Sequence, residues 1–359
     1  MTALEETRTE LDAAAVEAFG ARMVGMLSDA CTALLTSLGH QAGLFDALAE
    51  TGPTTSGGLA RHARLNERYV REWLNGMTVA GIVRHDAGSY RLPDAHAAWL
   101  TTDAGPNNLA RTMQFVPMLA EVDRDILACF RAGGGLSYDH YPRFHAVMDA
   151  DSRVVADAAL VEGIVPLVPG LTDRLRTGIE VADVGCGSGH AINVLAQAFP
   201  NSRLVGYDLS EEAIDRAQAE AAELGLTNAR FEIRDVAELN ETEAFDLVTA
   251  FDAIHDQAHP ARVLAGVARA LRPDGAFLMV DIKAESNVDD NIANPFAPAL
   301  YTFSTFHCMA VSLGLGGDGL GTVWGRQLAT SMLHDAGFTR VELCEVEEDP
   351  INEYFVCHH

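Results

Sequence analysis

The sequence predicts an α/β protein with a Rossmann-like, seven-stranded, mostly parallel sheet in its second half and a mainly α-helical, winged-helix first half. Three observations carry this. After Gly178 short apolar runs alternate with amphipathic helical segments, the texture of successive βα units. The first of those runs feeds a turn with three glycines in five residues, Gly185-Cys186-Gly187-Ser188-Gly189. Such a turn brings backbone close to a ligand at a helix N-terminus. The first half instead shows three helical segments followed by a short hairpin pattern.

Taken in order, apolar Leu34, Leu35, Leu38, Leu44, Phe45 and Leu48 recur at helical spacing and predict one helix over 30–48, ended by Gly52-Pro53. A short helix follows over 56–62. A third spans 66–80, with Asn66 as N-cap and Gly81 as stop, and turns Val70, Trp73, Leu74 and Met77 inward. Ile82-Val83-Arg84 and Tyr90-Arg91-Leu92, joined through Asp86-Ala87-Gly88, read as a hairpin or wing. A helical connector is expected over 107–171. Within it Tyr138-Asp-His-Tyr-Pro-Arg-Phe-His145 is dense in aromatic and imidazole groups that suit either a pocket wall or an ordinary interdomain helix.

In the second half strands are expected over 179–184, 203–208, 229–234, 245–251, 275–283, 339–346 and 353–357. Helices over 190–199, 211–224, 260–271 and 325–336 separate most of them. The last two strands follow one another closely, which predicts an antiparallel hairpin at the sheet edge.

Charge narrows the partners. Lys and Arg number 25 against 51 Asp and Glu, a net charge of −26, which repels nucleic-acid phosphates and anionic membranes. Three helices and a wing invite a DNA-binding reading, but residues 30–100 hold six arginines, no lysine and six acids. The third helix sets Arg68 and Arg71 beside Glu67 and Glu72. A dimerisation or substrate-lid role fits better. The six cysteines show no Cys-x-x-Cys spacing, so neither a zinc site nor a disulfide framework is expected. Acidic Glu5, Glu6 and Glu10 stand where a signal peptide needs basic residues, and no run of about 18 uninterrupted apolar residues occurs. The expectation is a cytoplasmic protein with no membrane or nucleic-acid partner.

The glycine turn has further support. Asp183 precedes it, and Asp208 ends the next strand 25 residues on, where a carboxylate accepts both ribose hydroxyls. Asp235 ends the third strand, placed to accept an adenine amino group. The glycines run Gly-x-Gly-x-Gly, without the third position of a pyrophosphate seat, which favours a nucleoside lacking phosphates over a dinucleotide. S-adenosylmethionine is such a nucleoside, and its positive sulfonium and ammonium suit a site carrying Asp183, Asp208 and Asp235. Leu209, Val236 and Phe251, beside these strand ends, complete the expected cofactor contacts with Gly185, Gly187 and Gly189. The segment thus resembles the class I S-adenosylmethionine-dependent methyltransferases.

The fourth strand ends beside Asp252-Ala-Ile-His255-Asp256, and ligands in such sheets sit beyond the carboxyl ends of strands. With the winged-helix front and Pro142-Arg143-Phe144 in the connector, this looks like the small-molecule O-methyltransferases of the caffeate and hydroxyindole type. That resemblance implies His255 as the base deprotonating the substrate hydroxyl, braced by Asp281 after the fifth strand, and a dimer that exchanges helices through the front half. The chemistry is sound, because a phenol of pKa about 10 gives its proton up to an imidazole of pKa about 6.5 as the new bond forms. Two departures stand out. The family's second bracing acid falls near Val323, where there is no carboxylate, and Gln257 occupies a position usually held by tryptophan. His255 shaping the site or bonding backbone remains the alternative.

Between the fifth strand and the last large helix, residues 296–324 include Tyr301, Phe303, Phe306, His307 and Met309, an apolar wall, then six glycines between 314 and 325. Phe144, Met148, Phe303, His307 and Trp324 are the expected acceptor contacts. Adjacent Asp289-Asp290-Asn291 suit a loop cap rather than a chelate, so no metal is assigned. The domains expected are 1–106, winged-helix dimerisation; 107–170, helical connector; and 171–359, methyltransferase. The expected function is O-methylation of a small aromatic or apolar metabolite in a homodimer. N- or C-methylation and a winged-helix regulator that senses S-adenosylmethionine are the alternatives.

Overall fold

The computed structural model describes residues 11–347 and 349–359. The chain divides into two compact units, Met1–Pro117 and Met118–His359.

In the first unit the helix expected over 30–48 is two helices, and the first starts much earlier. Ala13–Gln41 is capped by Asp12, and Leu44–Thr51 follows a break at Gly43, whose φ of 66° no continuing helix allows. Leu34 and Leu38 turn outward while Phe45 and Leu48 are buried. The period is helical on both sides of the break, which hid it in the sequence. Ser56–Ala63 and Glu67–Val79 follow, the latter capped by Asn66 and burying Val70, Trp73, Leu74 and Met77 as expected. Trp73 donates its indole N–H to Leu35 O at 2.9 Å and meets Phe45 edge-on at 5.1 Å. The wing is real: β1, Arg84–Asp86, pairs antiparallel with β2, Ser89–Arg91.

The second unit opens with the helices Asp123–Ala132 and Phe144–Ala159. Its sheet comprises β3 (Glu180–Val184), β4 (Arg203–Asp208), β5 (Ala229–Ile233), β6 (Phe245–Phe251), β7 (Leu271–Ile282), β8 (Arg340–Val346) and β9 (Asp349–His358). Their order is β5-β4-β3-β6-β7-β9-β8. All pairings from β5 to β7 are parallel, and β9 runs antiparallel between β7 and β8. The closing hairpin is therefore at the edge, as expected, with its last strand turned inward and longer than its apolar core suggested.

Alternation decides the layers. On β7, Ala276, Leu278 and Val280 join one core with Leu247, Ile192 and Leu171, while Phe277 and Met279 join the other with Val248, Val263 and Leu333. Both faces are covered by helices, which is why these strands read as nearly continuous apolar runs. The connection after β3 leads to β4 on one side, and that after β6 leads to β7 on the other. The loops after β3 and β6 therefore diverge and open a crevice at the carboxyl ends of the two central strands.

Candidate active site at the carboxyl ends of β3 and β6

The glycine turn lies in that crevice. Gly185 has φ 72°, and a Cβ there would fall 2.5 Å from the Ala253 Cβ, so the close approach of the two loops requires glycine. Gly187, with φ 53°, faces open space, so its backbone is accessible from the crevice. Gly189, with φ 72°, is packed against Ala217 and Phe231 at the start of the helix His190–Ala198. Asp208 is oriented by two backbone donors: Gly187 N–H at 2.9 Å to Oδ2 and Ser210 N–H at 2.8 Å to Oδ1. A carboxylate so held keeps lone pairs for a diol. Asp235 is exposed, and its Oδ1 caps the turn at Ala237. Leu209 is exposed, Val236 is buried in the core, and Phe251 is half-buried at the end of β6.

Asp183 is buried at the end of β3 and accepts a 2.7 Å hydrogen bond from Thr249 Oγ1 on β6. Burial pushes its pKa up to about 7, against the Thr249 bond, with Asp208 adding to the rise.

The loop after β6 begins at Asp252, which holds a left-handed φ of 50°. Three residues on, His255 is 3% exposed and its Nδ1 donates to Asp281 Oδ1 at 2.9 Å. That oxygen also receives the Ile282 N–H at 2.8 Å and the Trp324 indole N–H at 3.1 Å. Trp324, expected against the acceptor, is thus turned into the core and orients Asp281. It follows Val323, the position where the resembled family carries its second acid. Burial opposes charge on His255, but the Asp281 carboxylate, through its charge and its hydrogen bond, holds the pKa well above the usual value, with Cys308 adding to the rise. Asp256 accepts from Tyr138 Oη at 3.0 Å, and its pKa is raised to about 6, by burial first, with His255 and the Tyr138 bond opposing and Asp208 adding.

The connector supplies one wall. Phe144 stacks on His307 at 3.8 Å, and Tyr138 stacks near His145 at 5.8 Å. The helix Phe144–Ala159 reaches the cofactor loops through His145 Nε2 and Ser210 Oγ at 3.0 Å and through Ser188 Oγ donating to Asp149 at 2.6 Å. Met148 is half-buried on the same helix, and Phe303 is half-buried on the helix Ala297–Phe303. Residues 304–314 continue the insertion as a π-helical turn and the helix Met309–Gly314. Sequence reasoning missed Thr249, Ser188, Asp149 and Ser210; only Ser210, an N-cap, carried a local signal. Asp289 and Asp290 are exposed while Asn291 caps the loop at Glu285, and no group of three metal-ligating side chains forms among the described residues. Two open cavities of about 300 and 250 Å³ lie at the opposite, amino ends of the strands, around Glu180, Arg203 and Arg230, and neither borders His255.

A glycine turn at the switch point of a parallel sheet, with an oriented acid on the next strand and a buried His–Asp pair across the crevice, defines a class I methyltransferase domain. Residues 175–337 match the family model described as a methyltransferase domain, and residues 30–102 match the Rv2258c-like winged HTH domain. The second unit of this chain carries a methyltransferase domain and the first a winged helix-turn-helix. Among curated relatives, the chain is 35% identical over 125 residues to nocamycin O-methyltransferase of Saccharothrix syringae, covering 34% of this chain and 45% of that one. It is 30% identical over 169 residues to trans-aconitate 2-methyltransferase of Deinococcus radiodurans, covering 46% and 58%. The chain thus spans about half the length of the curated relatives it matches. Among solved structures, human N-acetylserotonin methyltransferase in complex with SAM aligns with TM-score 0.65 at 16% identity, covering 98% of this chain and 99% of that one. An O-methyltransferase family protein from Burkholderia thailandensis aligns with TM-score 0.67 at 15% identity, covering 94% and 97%. At such identities the likeness is one of fold.

Asp183 yields a stability prediction. With its pKa near 3.9 unfolded and about 7 folded, its ionisation costs stability progressively as pH rises between these values, and fully above about 7. Asp183→Asn should therefore raise the unfolding free energy of the ligand-free protein, measured by urea titration, at pH 8 by roughly a few kcal/mol at most, and have little effect at pH 4. An equal shift at both pH values would refute the assignment.

Proposed function

We propose that this protein is a S-adenosylmethionine-dependent methyltransferase acting on the hydroxyl of a small aromatic or apolar metabolite. The observation that carries the reading is the buried His255–Asp281 pair facing the glycine turn across the switch-point crevice. The residues fit the cofactor: Gly187 is open, Asp208 is oriented for a ribose, and the acidic surroundings suit a cation. Phosphate-bearing cofactors would be repelled by the same acids. When bound, S-adenosylmethionine supplies an electrophilic methyl group.

The chain's own residues then have three tasks. Asp208, with Gly187 and Gly189, holds the nucleoside. The aromatic wall around Phe144 and His307 excludes water and positions the acceptor. His255 takes the hydroxyl proton, while Asp281 fixes the ring at Nδ1 and stabilises the imidazolium that results. Trp324 fills the place of the resembled family's second acid by donating to Asp281 instead.

We infer a cytoplasmic homodimer. The helix Ala13–Gln41 exposes Val16, Phe19, Met23, Val24 and Leu27 along its length, more apolar surface than an unpartnered helix tolerates in water. By length and composition that helix is also apolar enough to cross a membrane, but Glu17, Arg22 and Asp29 interrupt it, and a partner subunit covers such a face at lower cost. Nucleic acid is a poor partner, because Arg71 on the helix Glu67–Val79 is paired with Glu67 at 3.5 Å and Arg68 with Glu72.

Calorimetry tests the cofactor. S-adenosylmethionine should bind with micromolar affinity and NAD should not. Asp208→Ala should weaken binding by about 1.5–3 kcal/mol through loss of a charged acceptor. An unchanged dissociation constant would mean that the ribose lies elsewhere. Light scattering at micromolar concentration should give a dimer, with an interface well above about 2,000 Å²; a monomer would rule the assembly out.

His255 makes the sharpest prediction. Because the Asp281 carboxylate holds its pKa up, the base form of the ring grows as pH rises. The kcat/KM for a phenolic acceptor should therefore increase from pH 7 towards pH 9. His255→Ala should lower turnover roughly 10²–10⁴-fold with cofactor affinity nearly unchanged, and recover only as pH approaches the phenol's own pKa of about 10. Near-full turnover in that variant would leave catalysis to alignment alone.

A further inference from the structure

We propose that His307 is a second, uncharged anchor for the methyl acceptor, and that the acceptors are aromatic rings bearing another oxygen function besides the hydroxyl that is methylated. This deepens the methyltransferase reading and rests on it.

His307 is 2% exposed, and its Nε2 is buried without any hydrogen-bond partner. A buried polar atom left unsatisfied is costly, so a fold that retains one calls for a reason. Packing is not the reason. The ring stacks on Phe144 at 3.8 Å and 12°, and meets Tyr141 edge-on at 4.8 Å, contacts that phenylalanine would make as well. What imidazole adds is the nitrogen. Neighbouring hydroxyls have no proton to give it, because Tyr138 Oη donates to Asp256 and Tyr141 Oη to the Phe306 carbonyl.

Its location ties this nitrogen to the site. Tyr138, in edge contact with the His307 ring at 5.8 Å, bonds Asp256, the residue that follows His255, and the charge of His255 itself acts on the His307 ring. The two imidazoles differ in charge. Burial first, with His255 and then His145 adding to it, drives the His307 pKa down to about 3, so the ring is neutral at neutral pH. A neutral imidazole nitrogen pairs with a hydroxyl or carbonyl and discriminates against a charged substituent, which would be stranded in this enclosure. A site whose buried group hydrogen-bonds the substrate rejects analogues lacking the partner strongly, because the group is then left unpaired.

The test is calorimetry on the full-length protein saturated with S-adenosylhomocysteine, titrated with phenol, catechol and resorcinol. At least one diol should bind about tenfold tighter than phenol. His307→Phe, which keeps the stacking, should bring that diol to the level of phenol, while S-adenosylhomocysteine affinity reports that the site is intact. His307→Gln, which restores a polar group, should keep part of the preference and serves if the phenylalanine variant fails to fold. The inference is overturned if the diols bind no better than phenol, if His307→Phe retains the preference, or if none of the three probes binds. Failure of S-adenosylhomocysteine itself to bind would overturn the methyltransferase reading as well.

Discussion

The central strands of the sheet are buried on both faces, and nearly everything about the site follows from that constraint. Helices cover Val181, Leu247, Leu278 and Val280 on one side and Val248, Phe277 and Met279 on the other, so a charged side chain along β3, β6 or β7 would be stranded between two apolar layers. The charges that face the crevice stand at the carboxyl ends, where the connections diverge and backbone N–H groups are free to serve them. Asp183, Asp208, Asp252 and Asp281 all stand there, each one the last residue of its strand or within a residue of its end.

Grouping acids in so small a volume has an electrostatic cost, and the structure meets it with neutral donors more than with cations. Thr249 serves Asp183, two backbone amides serve Asp208, and Tyr138 serves Asp256. Asp281 is paired directly with a titratable cation, His255. The crevice is therefore left with unspent negative character: burial raises the pKa of Asp183, and raises that of Asp256 even against the charge of His255. A positively charged ligand relieves this strain, which couples occupancy of the crevice to its charge state.

The pair at the centre is built redundantly. Asp281 Oδ1 accepts from His255, from its neighbour's backbone and from Trp324, so the ring orientation is set by three elements: the loop after β6, the end of β7, and the start of the last large helix. The family resembled in sequence braces its histidine with two acids. Here an indole donates to Asp281, which keeps that acid fixed without adding a second negative charge around His255.

Periodicity and turn chemistry alone determined the seven strands, the four helices between them, the winged hairpin, and the residues Asp183, Gly187, Asp208 and His255 at the strand ends. These are local properties, legible because a doubly covered strand must be apolar and a crossover helix must be amphipathic. The break at Gly43 was illegible because the apolar period continues across it, and the outward turn of Leu34 and Leu38 depends on which surface another element covers. Tertiary structure decided the rest: that the Trp324 indole serves Asp281, that His307 meets Phe144, and that Tyr138, 118 residues before Asp256, hydrogen-bonds it. Such pairings join segments whose own sequence carries no register to one another, so only the packing of the insertion and the connector against the sheet ends could fix them.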